Sequence, residues 1–299
     1  MTPADPAFGV PRLGVGMIFN LAAERFAKTL GVLDYVAVTP DMFWSDAGPG
    51  AAPRFGDLDR WVAMLEWAKP RLPIVAHHIG LSIASARDPD TEYVEQMVAW
   101  RRRWNYAWMS DHLSFVQIGD EPQTSGAAGL ALPVPFDAEV LALVAARVGA
   151  LRDRLEAPFL LENAPHYVIY PDQDMNETTF LNRFCEQSGG GLLLDLHNLY
   201  VNAINHRFSA RAFLDELAME NVVEVHVAGG SMVGSLYADS HSGVVPEPVW
   251  ALLRYVVPRA PNLRGITFEF HDSYFDVMGG DEGLATQIAR ARAVWHGRA

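Results

Sequence analysis

Histidine and carboxylate side chains stand at the ends of apolar segments along this chain. The apolar run that ends at Val227 contains His226, and Asp239 and His241 follow it closely. Other apolar segments also end on an imidazole or a carboxylate, at His77, His112, Glu162, Asp195 and Glu269, and Asn198 follows one of them. Neutral imidazoles and ionised carboxylates are groups that bind divalent metal ions in proteins. These residue types therefore raise the question of a metal site.

A single residue of this kind has an ordinary structural explanation. An Asp or Asn after a strand often caps the next helix, and a lone His is more often hydrogen-bonded than metal-bound. A buried set of acids and imidazoles is different, because it would be costly without a counter-charge, which divalent cations supply. A catalytic ion takes roughly three or four protein ligands. The nine candidates therefore predict two or three ions, with at least one bridging carboxylate.

These residues converge only if the apolar segments are parallel strands that end at one rim. Strand-length segments that are apolar on both faces, as buried parallel strands are, occur at 12–19, 35–39, 72–78, 106–113, 159–163, 191–196, 222–227 and 265–270. Helical patterns lie between them, at Ala22–Thr29, Leu58–Ala68, Thr91–Trp104, Asp137–Leu155, Thr178–Gln187, Ala210–Met219, Pro246–Val257 and Asp281–Trp295. Asp57, Asp90 and Ser209 stand where helix N-caps are expected.

Eight strand-then-helix units in a chain of 299 residues indicate an α/β fold, a single (β/α)8 TIM barrel. No linker or change of composition interrupts 1–299, so we expect one domain with the metal site at the C-terminal rim of the strands. A doubly wound open sheet is the alternative. Contact between the first and the last strand distinguishes the barrel, because closure requires that pair.

The composition restricts the classes of function. A formal net charge of −13 argues against a broad nucleic-acid or membrane surface, which needs clustered Lys and Arg. The N-terminal stretch does not look like a signal peptide, and no apolar run approaches the roughly 18 residues of a membrane span. The single cysteine, Cys185, lies in a helical pattern, so we interpret it as a packing residue. We expect a soluble cytoplasmic protein that binds neither nucleic acid nor membrane.

The segment 116–136 is unusual for a connection between a strand and a helix. It reads "VQIGDEPQTSGAAGLALPVPF" and is long and rich in Gly and Pro. Segments of this kind are often functional lids. We expect it to cover the barrel mouth or to contact a partner, and a tolerated insertion is the alternative.

The order of short motifs around the candidate ligands is specific. The chain carries in sequence "HHIGLS", "SDHLSF", "LLENAP", "LLDLHNLYVNA", "VHVAGG", "DSHSGVVPEPVW" and "FEF". This order resembles the multinuclear non-haem iron-dependent oxidative enzymes, a family that was long a domain of unknown function. The resemblance runs from about residue 12 to residue 290. It implies a xylose-isomerase-like TIM barrel, with relatives that act in methanobactin and other ribosomal-peptide biosynthesis.

Carried over by position, the resemblance implies the ligands of each ion. The first iron would use Glu162, Asp195, His226 and Glu269. The second would use His77, His112 and Glu162, so that Glu162 bridges, and His78 is only a neighbour. A third and more variable ion would use Asn198, Asp239 and His241. The ligands of the first two irons are also the predicted catalytic residues. The second set, with two imidazoles and one carboxylate, leaves open positions on Fe(II) for dioxygen and substrate.

The resemblance further implies an oxidase or oxygenase that uses dioxygen as a co-substrate. Its substrate would be cysteine, or a related residue, in a ribosomally made precursor peptide, and a small leader-peptide-binding protein would be a partner. The chain departs from the family in several places near these ligands. One is Gly230, where many members carry a second histidine.

Other classes of enzyme fit the same ligand types. A zinc phosphodiesterase of the endonuclease-IV type would need histidine where this chain has Asn198. A sugar isomerase would need a lysine near the metals, and the only lysines are Lys28 and Lys69, both in helical patterns. A non-catalytic, metal-holding partner subunit is a further alternative. Iron analysis and oxygen uptake separate these hypotheses.

Overall fold

Strands and helices alternate along the computed structural model, which describes residues 7–29, 31–118 and 126–297. The strands are β1 (Gly14–Ile18), β2 (Tyr35–Val38), β3 (Trp44–Asp46), β4 (Phe55–Asp57), β5 (Ile74–His77), β6 (Met109–His112), β7 (Phe115–Ile118), β8 (Gly126–Leu132), β9 (Phe159–Glu162), β10 (Gly191–Asp195), β11 (Val222–Val227), β12 (Ser231–Val233), β13 (Leu236–Ala238) and β14 (Gly265–Phe268). The helices are α1 (Glu24–Ala27), α2 (Asp59–Ala68), α3 (Thr91–Trp104), α4 (Ala138–Leu155), α5 (Glu177–Ser188), α6 (Leu196–His206), α7 (Ala210–Glu216), α8 (Glu247–Val256) and α9 (Gly280–Trp295).

Eight of the strands close into a parallel barrel. Their order is β1-β14-β11-β10-β9-β6-β5-β2, and β2 pairs with β1 again. The closing pair β1–β14 runs in register from Gly14 beside Gly265 to Met17 beside Phe268. The predicted (β/α)8 barrel is therefore confirmed, and the doubly wound sheet is excluded. That 1–299 form one domain stays a prediction.

The outer helices bury one face against the barrel. In α8 the buried residues are Val249, Trp250, Leu253 and Val256, a spacing that lines one side of a helix with 3.6 residues per turn. Their side chains belong to the large apolar layer between helices and strands. No helix in the described ranges has the length and hydropathy needed to cross a lipid bilayer.

Two of the three predicted N-caps are present. The side chain of Asp90 accepts hydrogen bonds from backbone amides in the first turn of α3, and Ser209 does the same for α7. The prediction for Asp57 is wrong, because this residue ends strand β4 and Leu58 takes the cap position of α2 without a side-chain bond. Asp57 instead accepts a hydrogen bond from the guanidinium of Arg103.

Several elements were not predicted from the sequence. Helix α6 begins directly after β10 with no intervening loop. Three antiparallel hairpins, β3–β4, β7–β8 and β12–β13, lie outside the barrel. The strands β7 and β8 take up part of the segment expected to be a lid, and residues 119–125 lie outside the described ranges. That this segment covers the barrel mouth stays a prediction.

The lower part of the barrel interior is apolar. Tyr35 and Trp108 pack there with their ring centroids 5.9 Å apart, together with buried aliphatic side chains. Two glycines make room for Tyr35: a Cβ at Gly16 would lie 2.8 Å from its ring, and a Cβ at Gly265 would lie 2.5 Å from its hydroxyl oxygen. The carboxylate of Glu224 interrupts this apolar layer and accepts a hydrogen bond from Nε1 of Trp108.

Candidate metal centre

Six barrel strands bring a candidate ligand to the same rim. The residues are His77 at the end of β5, His112 (β6), Glu162 (β9), Asp195 (β10), His226 in β11 and Glu269 directly after β14. Strand register places His112 beside Glu162 and Asp195 beside His226. We call these six residues the inner cluster.

Glu162 lies at the centre of the inner cluster. Its Oε2 is 3.1 Å from Nε2 of His112 and 3.3 Å from Nε2 of His77. Its Oε1 is 4.0 Å from Nδ1 of His226, and that nitrogen is 3.2 Å from Oε1 of Glu269. One carboxylate thus reaches both the two-histidine side and the carboxylate-rich side of the cluster.

Three sets of ligand atoms in the described residues are compact enough to hold one ion each, with all atoms of a set within 4.8 Å of one another. They are His77–His112–Glu162, Glu162–Asp195–His226 and His77–His226–Glu269. The first two sets match parts of the ligand groups that the family resemblance implies. The third was not foreseen, and it brings His77 within reach of both predicted ions.

Several buried ligand atoms have no hydrogen-bond partner among the described residues. They are Oε2 of Glu162, Oδ2 of Asp195, Oδ1 of Asn198 and Nδ1 of His226. The Glu162 oxygen lies close to two imidazoles but receives no hydrogen bond of good geometry from them. Buried polar atoms are rarely left unpaired, because their desolvation is costly. A divalent cation would satisfy all of these atoms, so the donor set fits a metal centre.

Burial and mutual proximity shift the pKa values of the inner cluster. Burial raises the pKa of Glu162 to about 8, against the opposing effect of His112. Burial lowers the pKa of His77 well below its usual range, and the imidazoles of His112 and His226 lower it further. Burial acts to raise the pKa of Glu269, but the nearby His226 outweighs it and the net shift is downward. Metal ions replace protons on such ligands, since they bind ionised carboxylates and neutral imidazoles.

Two asparagines hold the carboxylates in place. Asn163 donates to the carbonyl oxygen of Asp195 at 2.9 Å and accepts from its amide at 2.8 Å. The amide nitrogen of Asn198 donates to Oδ1 of Asp195 at 2.7 Å, which makes Asp195 the N-cap of α6. The side-chain nitrogen of Asn198 donates to Oε1 of Glu162 at 3.3 Å. The start of α6 therefore orients two of the six inner residues.

The carboxylate of Glu224, a residue that was not predicted from the sequence, lies beside the imidazole of His226. This residue is 1% exposed, and its Oε1 lies 3.3 Å from Nε2 of His226. The carboxylate accepts hydrogen bonds from Nε1 of Trp108 and Oγ1 of Thr267, both at 2.6 Å, and from the Tyr35 hydroxyl at 3.4 Å. A carboxylate on the far nitrogen of a ligating histidine fixes its tautomer and raises its basicity. Residues 224 and 226 share a strand face, and that spacing was the available signal.

Asp239 and His241 form a separate unit that we call the outer pair. Oδ1 of Asp239 is 3.1 Å from Nε2 of His241 and 2.8 Å from Nδ1 of His197. Nε2 of His241 is also 3.5 Å from Oε2 of Glu269. Burial acts to lower the pKa of His241, but the nearby Asp239 outweighs it and raises the pKa to about 10. Asn198 makes no contact with the outer pair in the described residues, so the predicted third set is only partly assembled.

His197 packs directly against Gly230. A Cβ at Gly230 would lie 2.7 Å from Nε2 of His197 and 2.4 Å from the carbonyl oxygen of Ala238. The imidazole of His197 is fully buried, and its Nε2 has no hydrogen-bond partner among the described residues. A side chain at position 230 would therefore collide with His197.

Two further residues lie where the sequence analysis put them. His78 points away from the cluster, with Nδ1 3.3 Å from a carboxylate oxygen of Asp41 and 3.3 Å from the Tyr93 hydroxyl. Cys185 is buried in α5, and burial raises the pKa of its thiol to about 12. Neither residue takes part in the metal centre.

The candidate ligands differ in exposure. The side chain of His112 is 20% exposed and that of His241 is 33% exposed, whereas those of His77 and Glu162 are 7% and 2% exposed. Solvent therefore reaches the centre most readily at His112 and His241.

Solved structures share the architecture of this chain. D-psicose 3-epimerase aligns with a TM-score of 0.60 at 12% identity, over 94% of this chain and 99% of that chain. Endonuclease IV from Thermus thermophilus aligns with a TM-score of 0.54 at 15% identity, over 97% of this chain and all of that one (100%). Identities this low establish a common barrel fold and leave the substrate open.

Sequence relatives and a family model identify the chain more closely. It is 32% identical over 221 residues to a UPF0276 protein of Caulobacter vibrioides, covering 74% of this chain and 73% of the relative. A UPF0276 protein of Anaeromyxobacter is 32% identical over 259 residues, covering 85% of this chain and 84% of the relative. Residues 12–294 match the model described as RiPP precursor modification enzyme MbnB/TglH/ChrH. The chain therefore belongs to this family, whose members modify the precursors of ribosomally synthesised and post-translationally modified peptides.

Proposed function

We propose that this protein is a multinuclear non-haem iron oxidase that uses dioxygen to modify cysteine, or a related residue, of a precursor peptide. The observation that carries the proposal is the compact set of two imidazoles and one carboxylate, His77, His112 and Glu162, joined through Glu162 to a second, carboxylate-rich set. Two imidazoles and a carboxylate on one face suit Fe(II) that must keep positions open. Membership of a peptide-modifying family supports the peptide substrate.

The residues divide into two ligand groups and one that is less complete. Glu162, Asp195, His226 and Glu269 would hold the first iron, and His77, His112 and Glu162 the second. Asn198, with Asp239 and His241, would hold a third. Bound iron would supply the one-electron redox chemistry that lets dioxygen react with a thiolate, which zinc lacks.

The chain's own residues prepare this reaction. Glu162 joins the two groups, so a change of charge on one side is felt on the other. The carboxylate of Glu224 lies 3.3 Å from Nε2 of His226, and Nδ1 of His226 faces the cluster. The side chain of His112 is more exposed than those of His77 and Glu162, so a peptide residue would meet the two-histidine group first.

The alternatives place other groups at the centre. A sugar isomerase needs a lysine beside the metals, but Lys28 is bonded to Glu24 beside α1 and Lys69 to the carbonyl of Arg103, both outside the barrel. A hydrolase would use zinc and would need no oxygen. A small leader-binding partner protein is a further part of the proposal, supported by the family resemblance alone.

The test compares metal forms of the same protein. Apoprotein is loaded anaerobically with Fe(II) or Zn(II) and mixed with the cysteine-containing precursor peptide encoded beside its gene, with any small neighbouring protein added. We expect oxygen uptake and a mass change of the peptide with iron only. His112→Ala should abolish both, and Cys185→Ser should retain both. Equal activity of the zinc form, or turnover without oxygen, would identify a hydrolase instead.

A further inference from the structure

A second cavity, apart from the metal centre, lies between the loop after β9 and the helices α5 to α7. Its volume is about 380 Å³, and its walls include Val168, Ile169, Phe208 and Phe213. Three of these side chains remain well exposed, with Val168 at 63%, Ile169 at 51% and Phe208 at 38%. We call this cavity the lateral groove. Exposed apolar residues that cluster around a concave site commonly mark a binding surface.

One acidic residue of the lateral groove is partly exposed and has no partner among the described protein groups. Glu177, the first residue of α5, lines the groove and has no hydrogen bond or ion pair among the described residues. Burial raises the pKa of its carboxyl to about 8. The other acid of the wall, Glu216, is different, because it accepts hydrogen bonds from Thr178 at 2.8 Å and Asn176 at 3.1 Å. Glu177 is therefore the group that a ligand would satisfy.

The groove contains no cation of its own to balance Glu177. No Lys or Arg stands among its described lining residues. His166 is on the wall, but burial and the stacked ring of His206 lower its pKa to about 4, so it is uncharged at neutral pH. A bound positive charge would restore the ionised form of Glu177 in an apolar setting, where such a pair is strong.

The lateral groove lies close to the metal centre along the chain. The segment that leaves Glu162 reaches the groove wall at His166, only four residues later. Four residues span at most about 14 Å when fully extended. Asn202 holds this segment, since it accepts from the amide of His166 at 2.8 Å and donates to the carbonyl of Ala164 at 3.1 Å. The near wall of the groove, at His166, therefore lies within about 14 Å of Glu162.

We propose that the lateral groove binds the peptide substrate through an apolar side chain followed by a basic residue, near the residue that is modified. The apolar side chain packs on Val168, Ile169 and Phe208, and the cationic group pairs with Glu177. This inference rests on the proposed function for the identity of the occupant as a peptide substrate. The binding preference itself is measurable without turnover.

The experiment uses two labelled pentapeptides and the full-length protein. One peptide has a leucine followed by an arginine between glycines, and the other has citrulline, the neutral isostere, in place of arginine. Fluorescence anisotropy at low ionic strength should show the arginine peptide binding about tenfold more tightly to the wild-type protein. Glu177→Gln should remove this preference. Glu186→Gln, an exposed position on the same helix, should retain it.

A second variant tests the apolar part of the groove. Ile169→Ser changes an exposed side chain, and it should weaken both peptides by the same factor because it removes apolar contact and no charge. The proposal is overturned if neither peptide binds, if both bind equally to the wild type, or if the preference survives in Glu177→Gln. A charge preference without oxygen uptake would refute only the proposed oxidation, and oxidation without the preference would refute only this groove.

Discussion

The inner cluster and the outer pair both consist of imidazoles and carboxylates, but they differ in whether these groups have hydrogen-bond or ion-pair partners within the protein. In the inner cluster Glu162, Asp195 and His226 each keep a buried ligand atom without a hydrogen-bond partner in the described structure. In the outer pair Asp239 is matched by two imidazoles, and His241 is partly exposed. Unpaired buried acceptors are costly, whereas an ion pair near solvent is nearly neutral in energy. The inner cluster therefore needs a bound cation more than the outer pair does.

The two regions also differ in what holds their ligands in place. Behind His226 stands Glu224, itself held by hydrogen bonds from Trp108 and Thr267. The outer pair lies between hairpin β12–β13 and the start of α8, and His241 has a φ of 48°, which is uncommon for a residue with a side chain. The inner ligands are held by the barrel itself, and the outer ones by a connection.

The largest loss of bound metal is expected when Glu162, which belongs to both inner ligand groups, is replaced. Glu162→Ala should lose more than one equivalent of metal, because its carboxylate contributes to two of the three compact ligand sets. Metal content by mass spectrometry, after loading and desalting, measures the loss. Glu186→Ala on the surface of α5 is the control. Loss of one equivalent or less would show that Glu162 does not bridge.

A smaller effect is expected one layer below the ligands. Glu224→Gln should weaken metal binding roughly tenfold or more, because the amide cannot hold His226 and accept from all its donors at once. Competition with a coloured chelator measures the affinity, and Glu220→Gln, exposed just before β11, is the control. If the metal affinity is unchanged and only the thermal stability falls, Glu224 stabilises the fold and does not position His226 for metal binding.

The smallest effect is expected in the outer pair. A dilute chelator should remove any third ion first, and Asp239→Asn should cost at most one equivalent, because the outer pair is already balanced by its own imidazoles. Metal content followed over time, with the wild type as reference, measures both. If the two inner ions leave before the third, the inner cluster does not bind metal more tightly than the outer pair.

The barrel was predictable because its strands have a local signature. Most barrel strands are short runs that are apolar on both faces, and the predicted runs overlap all eight observed strands. Helix α6 was missed because it follows β10 without a break: the predicted strand ran from 191 to 196, and no helix was predicted after it. Asp195 acts there as the end of a strand, a candidate ligand and an N-cap at once.

The candidate site was predictable only in part. The six inner residues are visible in the sequence because each stands at or near the carboxyl end of an apolar run. Glu224 and His197 were overlooked, since Glu224 lies inside an apolar run and His197 stands between two residues that were themselves predicted as ligands, Asp195 and Asn198. Their roles depend on Trp108 and Asp239, which come from distant elements. Local patterns do not contain such partners.

The sequence by itself determined which side chain each strand delivers to the rim, because alternation of apolar runs with helices sets strand order and direction. It also determined the family, through the order of its motifs. Only the tertiary structure decided that Glu162 lies between two ligand groups, that Asp239 is already paired with His197, and that Glu177 faces an apolar groove without a partner. These are distances between segments far apart in the chain. Barrel closure and strand stagger set such distances, and no short stretch of sequence encodes them.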